Sequence, residues 1–287
     1  MAKRRILITG ANGFFGSRFV QRFDDRFDIL ATDVDTLDIN NEDHVASAFE
    51  TFKPDLVLHA AAVAATAFCN EHPDLARKIN VDGAVSLARA AEKTGAGMVF
   101  ISSEQVFNGN EEDGPYSEED SAKPDTVYGE TKLAAEGELR TCLEDLWTLR
   151  FTWLFGLPER GTGMSPGVVW NVVQSLMAGK MLKERTNEFR GITYVHDLLD
   201  RFEAILECKP DLYHVGSRND LSRYDLAEHC LKLMGLGERT SELLEAVEAP
   251  ARRDIRLATD KLASLGVSFP LSSAGMEHCI SDFRFTL

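Results

Sequence analysis

Tyr128-Gly-Glu-Thr-Lys132 sets a phenol and an ammonium four residues apart. On a helix that spacing puts both on one face. A cation beside a phenol favours the phenolate and lowers its pKa. Such a phenol is a workable proton donor to a ketone oxygen as hydride arrives at the carbon. Ser103 closes a short apolar run and stands where it can hydrogen-bond the same oxygen. Strand ends of this kind are where parallel sheets bind ligands. The tyrosine–lysine spacing alone also describes an ordinary surface helix pair, so its weight depends on what lies upstream.

Upstream is Gly10-Ala-Asn-Gly13-Phe-Phe-Gly16, at the join between an apolar run and a helical pattern. The first glycine permits a tight turn, the second a close approach to pyrophosphate, the third close helix–strand packing. A helix N-terminus there faces phosphates with free N–H groups. Gly10, Asn12, Gly13, Phe14, Phe15 and Gly16 are therefore the candidate phosphate cradle. Asp33 follows 17 residues after Gly16 and suits the ribose hydroxyls of an adenosine. It would repel a 2′-phosphate, which favours NAD over NADP. Arg18 is the basic residue placed to offset that preference.

These groups need a scaffold, and the hydrophobic pattern supplies one. Arg5–Thr9, Asp28–Thr32, Asp55–His59, Gly97–Ser102 and Leu146–Phe151 read as strands. Helical patterns alternate with them: 14–23, 41–52 with Asn40 or Asn41 as cap, 72–93 opened by Pro73, and 126–142. The fold class is α/β, a doubly wound parallel sheet with a smaller C-terminal substrate lobe. We place a dinucleotide-binding domain at 1–155 and a mainly substrate-binding lobe at 156–287. Ile192–Val195 and Leu212–Val215 are strand-like, and segments near 191–216 are expected to return to the core.

Composition excludes several classes. Acidic residues outnumber basic ones 46 to 31, for a net charge of −15. No basic face marks a nucleic-acid reader. No apolar run spans a membrane, and Met1 to Arg5 lacks the apolar stretch of an export signal. Cys69, Cys142, Cys208, Cys230 and Cys279 are scattered, so neither a zinc site nor a disulfide framework is expected. A cytoplasmic protein without a bound metal fits this pattern. His59 and His196 read as structural, and the acidic stretch Glu111–Asp120 as a solvated face.

Several segments carry a resemblance to a known family. They include Ile8–Gly16, Lys53–Ala62, Asn80-Val-Asp-Gly83, Ile101-Ser-Ser103, Val127–Leu133, Arg150–Gly156, Tyr194-Val-His-Asp197 and Arg252–Leu257. The chain resembles an extended short-chain dehydrogenase/reductase, within it the dTDP-4-dehydrorhamnose reductase branch. The resemblance implies a Rossmann-type core binding NADP or NAD. Asp38 and Ile39 would flank the adenine, and Ala60, Ala61 and Ala62 would line the cofactor. Tyr128 would be the general acid, Lys132 would hold the nicotinamide ribose, and Ser103 would polarise the carbonyl. Trp153 would stand beside the substrate, a nucleotide-linked 4-keto-6-deoxysugar. A homodimer is compatible with the family.

Glu104-Gln105 departs from the Asp-Tyr usual after the catalytic serine or threonine, which makes Glu104 a candidate substrate contact. Gly161–Gly167 lacks the family's Asn-Phe pattern. Two other functions fit the same residues. One is a nucleotide-sugar epimerase or dehydratase. The other is a non-catalytic cofactor-binding regulatory subunit, such as that of methionine adenosyltransferase, which resembles this branch.

Overall fold

The computed structural model describes residues 3–282; Met1 and Ala2, the start of the basic N-terminus, lie outside them. In chain order the first half runs β1 (Arg5–Thr9), α1 (Phe14–Phe23), β2 (Asp28–Thr32), α2 (Glu42–Phe52) and β3 (Leu56–His59). It continues with α3 (Thr66–Glu71), α4 (Pro73–Arg77), a π-helical turn (Lys78–Asp82), α5 (Gly83–Thr94) and β4 (Gly97–Ser103). Then come α6 (Val127–Cys142), β5 (Leu146–Phe151) and β6 (Trp153–Phe155). The second half is α7 (Val168–Met177), β7 (Leu182–Arg185), β8 (Glu188–Phe189), β9 (Ile192–Tyr194), α8 (Val195–Glu207) and β10 (Leu212–Val215). It ends with α9 (Arg223–Leu233), α10 (Thr240–Leu243), β11 (Leu244–Val247), β12 (Arg253–Asp254), α11 (Asp260–Ser264) and α12 (Ser272–Asp282).

Six strands form one parallel sheet in the order β10-β5-β4-β3-β1-β2. Its central strands are apolar on both faces, as a doubly covered sheet requires. Ile6 and Ile8 pack with Phe15, Phe19 and Leu198 on one side, the side of α1 and α8. Leu7, between them, packs with Val45, Leu87 and Ala135 of α2, α5 and α6 on the other. The first cluster continues through Phe155 to Val172 and Leu231 in the second half.

Local chemistry sets several boundaries. Asn41 caps α2 by accepting from the backbone N–H groups of Asp43 and His44. Thr126 caps α6 by accepting from Gly129 N at 3.2 Å, which fixes where the helix carrying Tyr128 begins. The helix expected from His72 is different in the structure. It starts earlier, at Thr66, breaks at His72-Pro73, and passes through the π turn before α5.

The two later strand-like segments also part company. Leu212–Val215 is the outer strand of the main sheet, paired with β5. Ile192–Tyr194 is not in that sheet; it pairs with Trp153–Phe155 in a separate two-stranded sheet. The Thr152 N–H still donates to the Val215 carbonyl, and from Trp153 the chain pairs with Ile192–Tyr194 instead. Among the described residues no helix is long and apolar enough to cross a membrane.

Candidate active site

A cavity of about 730 Å³ opens at the C-terminal ends of β1, β2 and β3. That is within the range of small-molecule sites, about 300–1,000 Å³. Gly10, Asn12 and Gly13 form one wall, Asp33, Asp38 and Ile39 a second, and Ala60, Ala61 and Ala62 a third.

The glycines earn their places by contact. Gly10 has φ 71°, and a Cβ there would lie 2.7 Å from Ala61 N. A Cβ on Gly16 would strike the Gly10 carbonyl oxygen, so Gly16 serves the turn rather than lining the cavity. No side chain caps the N-terminus of α1, which leaves its first N–H groups for an anion. The Phe15 ring is committed to the core beside Phe151 and Phe202, and the Phe14 ring stacks on Arg18. Neither side chain lines the cavity, so these two can offer only backbone to it. Asp33 is pinned in place: one carboxylate oxygen accepts from Asn12 N at 2.9 Å, the other from Val34 N at 2.8 Å.

Arg18 is not where the sequence placed it. It is buried, and its guanidinium donates to Glu159 and to the carbonyls of Phe14, Leu157 and Gly163. It therefore has no reach to an adenosine. Lys78, exposed on the π turn, does line the cavity and had no signal in the sequence.

Ser103, Tyr128 and Lys132 come together beside this cavity. Tyr128 clusters with Cys69 and Ala76, and Val63, which lines the cavity, packs against that cluster. Val63 is held by Asn80, whose amide oxygen accepts from Val63 N at 2.8 Å. The Asn80 amide also donates to the Val63 carbonyl and to Thr131 Oγ1, both at 3.0 Å. Buried Asn80 thus joins the cavity wall to α6. Nothing within Asn80-Val-Asp-Gly83 signals that role, because both partners lie far along the chain. Ser103 Oγ accepts from Gln105 N at 3.2 Å, which leaves its own O–H free to donate.

Tyr128 differs from expectation. Burial pushes its phenol up to about 12, with a hydrogen bond from Ser103 acting the other way. Lys132 does not bring it down, because its ammonium donates to the Ile101 carbonyl at 2.8 Å and lies 5.9 Å from the Tyr128 ring centre. Burial instead lowers Lys132 itself to about 8, opposed by the Glu136 carboxylate. His59 is fully buried, bonded through Nδ1 to Thr9 Oγ1 at 2.7 Å, and lowered to about 3 by burial and by Lys132. It remains a neutral structural group.

Glu104 and Trp153 share one partner, Arg190, which the sequence did not signal. Arg190 is ion-paired with buried Glu104, and its guanidinium stacks 4.6 Å from the Trp153 ring centre. Burial raises the Glu104 carboxyl, and Arg190 opposes the rise. Arg223 lies over the same indole at 5.4 Å. His196 bonds Glu159 and meets Tyr194 edge-on, consistent with packing. Within the acidic stretch Asp113 pairs with Arg252. All five cysteines are free, and three are buried.

Comparison with known proteins places the chain in a family and a fold. A family model described as the RmlD substrate binding domain matches residues 4–283. The dTDP-4-dehydrorhamnose reductase of Aggregatibacter actinomycetemcomitans is 31% identical, with 78% of this chain and 76% of that protein aligned. Methionine adenosyltransferase 2 subunit beta of Bos taurus is 28% identical over 92% of this chain and 83% of its own length. The crystal structure of a dTDP-4-dehydrorhamnose reductase from Clostridium acetobutylicum superposes with TM-score 0.84 at 28% identity, covering 96% of this chain and 98% of the other.

Proposed function

The chain belongs to the RmlD substrate binding domain family, and from that premise we propose that it reduces a nucleotide-linked 4-keto-6-deoxysugar with a nicotinamide dinucleotide, Tyr128 giving the proton. The reading is carried by one juxtaposition. A glycine-walled cavity that reaches Asp33 is joined to the Tyr128 cluster through Val63, which lines the cavity and packs against that cluster. The relatives named as dTDP-4-dehydrorhamnose reductases supply the substrate class.

The residues present fit a dinucleotide. The uncapped N-terminus of α1 suits its phosphates, and Asp33 suits its adenosine ribose. When bound, the reduced nicotinamide would supply hydride. Ser103 would hydrogen-bond the ketone oxygen, and Tyr128 would deliver its proton there. A phenol near 12 is fully protonated at neutral pH, as a donor must be. Lys132 would hold the nicotinamide ribose. Glu104, fixed by Arg190, and Trp153 would form the substrate wall.

Lys132 sets a pH limit in this scheme. Its pKa near 8 keeps the ammonium charged below that value and loses the charge above it. We expect kcat/KM to hold up to about pH 8 and fall beyond, a limb absent from Lys132→Met. A native profile flat to high pH would remove Lys132 as a required cation. Tyr128 at about 12 contributes no limb in that range.

Asp33 favours NAD in the same scheme. Asp33→Ala is expected to raise the NADPH-to-NADH ratio of kcat/KM at least tenfold, roughly 1.4 kcal/mol of removed charge repulsion. An unchanged ratio would place the discrimination elsewhere.

A regulatory reading is favoured by the relatives named methionine adenosyltransferase 2 subunit beta. Incubation with NADH or NADPH and a panel of nucleotide-linked 4-keto sugars, followed by absorbance of the reduced cofactor, separates the two. Turnover on one sugar supports the reductase. Dinucleotide binding with no turnover on any member would favour the regulatory subunit.

A further inference from the structure

Residues 157–163 belong to the C-terminal half, yet they are bolted to the helix that carries the glycine loop. Arg18 does most of the fastening. It is 1% exposed, and every partner it has is internal. Its Nε donates to Glu159 Oε1 at 2.6 Å. One terminal nitrogen donates to the carbonyls of Phe14 at 2.9 Å and Gly163 at 2.8 Å, the other to Leu157 at 3.0 Å. Ser17 adds a relay: its hydroxyl donates to the Gly13 carbonyl at 2.7 Å and accepts from Gly163 N at 3.0 Å. Gln21 donates to the Arg160 carbonyl at 3.2 Å.

Gly163 is the contact point. A Cβ on it would collide with the Asn12 carbonyl oxygen and lie 2.9 Å from the Gly13 carbonyl carbon. Asn12 and Gly13 both line the cavity, whereas Arg18 and Gly163 do not. The strap therefore presses on the phosphate loop from outside.

We infer that Arg18 is a positioning residue for dinucleotide binding: it clamps residues 157–163 against the outer side of the glycine loop and so holds that loop in its binding shape. This rests on the reading that the cavity takes a dinucleotide. A loop already held loses little conformational freedom when its ligand arrives, and affinity gains accordingly. The same clamp links the cofactor cavity to the C-terminal half, because residues 164–167 lead from the strap straight into α7.

The test is titration of the full chain with NADH and with NADPH, read by nicotinamide fluorescence, for the native protein, Arg18→Met, Glu159→Ala and Gly163→Ala. Arg18→Met and Gly163→Ala are expected to bind both dinucleotides at least about tenfold more weakly, and Glu159→Ala less so. The loss is expected to be equal for the two dinucleotides, since Arg18 touches neither. A loss confined to NADPH would mean direct contact with the 2′-phosphate and would overturn the inference. If Arg18→Met does not fold, Gly163→Ala and Glu159→Ala carry the test. Unchanged affinity in the folded variants defeats the clamp while leaving the cofactor reading intact. Absence of binding by the native chain defeats the cofactor reading and the clamp with it.

A second readout is trypsin cleavage after Arg160, which lies in the exposed part of the strap. Dinucleotide is expected to slow that cleavage in the native chain and to leave it unchanged in Gly163→Ala. A role in stability alone would not couple the two; equal protection in both proteins would count against the clamp.

Discussion

Tyr128→Phe is expected to lower turnover by about 10²–10⁴-fold, the usual span for loss of a positioned proton donor. The substitution removes one oxygen from a side chain that is 9% exposed. Its ring would stay in the cluster with Cys69 and Ala76, against which Val63 of the cavity wall packs, so that wall keeps its shape. Dinucleotide affinity and the melting temperature are therefore expected to stay near native. Rate and binding measured together make the result specific. A large loss in rate at constant affinity assigns the proton to Tyr128. A rate within a factor of a few of native would mean that another group, or water, protonates the product oxygen. A matching loss of affinity would mean that the hydroxyl serves binding instead.

Glu136→Ala is expected to cost about 3–5 kcal/mol of stability, because it leaves a charge buried without its partner. Arg150 and Glu136 are 5% and 4% exposed at the side chain and form a two-pronged pair. Arg150 Nε donates to Oε1 at 2.9 Å and a terminal nitrogen donates to Oε2 at 2.7 Å. Ser102 Oγ also donates to Oε1, at 2.5 Å. The pair ties α6 to β4 and β5 directly behind the site. Denaturant unfolding reads the effect as a lower midpoint at constant slope. The double variant Glu136→Leu/Arg150→Met is expected to recover much of the loss, since removing both charges avoids the orphan. A cost under about 1 kcal/mol for Glu136→Ala would show that water or a neighbour serves Arg150 instead. Loss of Glu136 also removes the carboxylate that holds Lys132 up, so any remaining activity is expected to decline at lower pH than in the native enzyme.

The sequence disclosed this site unevenly, for physical reasons. Features written in local spacing were legible. The three glycines, the Tyr128–Lys132 interval and the apolar strands all depend on neighbours within a few residues. Five strands of the main sheet could be placed from such runs. Features that depend on distant partners were not legible. Arg18 looked like a free cation because nothing near it signals Glu159 or the Gly163 carbonyl, far along the chain. Arg190 carried no pattern at all, yet it joins Glu104 to Trp153. The spacing of Tyr128 to Lys132 alone implies a lowered phenol pKa. Burial, which the sequence does not display, moves it the other way. The π turn left no mark either, although Asn80 within it ties the cavity wall to α6.

The sheet order carries a consequence for how the chain is made. Strand β5 is complete at Phe151, but its outer neighbour β10 begins only at Leu212. At about 5–20 residues per second, a ribosome needs several seconds to supply that neighbour. Throughout that interval β5 presents an open ladder of N–H and C=O groups, the kind of edge that recruits other chains. The risk of misassembly is therefore concentrated in nascent chains that end between β5 and β10. A chaperone that shields one strand edge during that interval would protect the whole molecule.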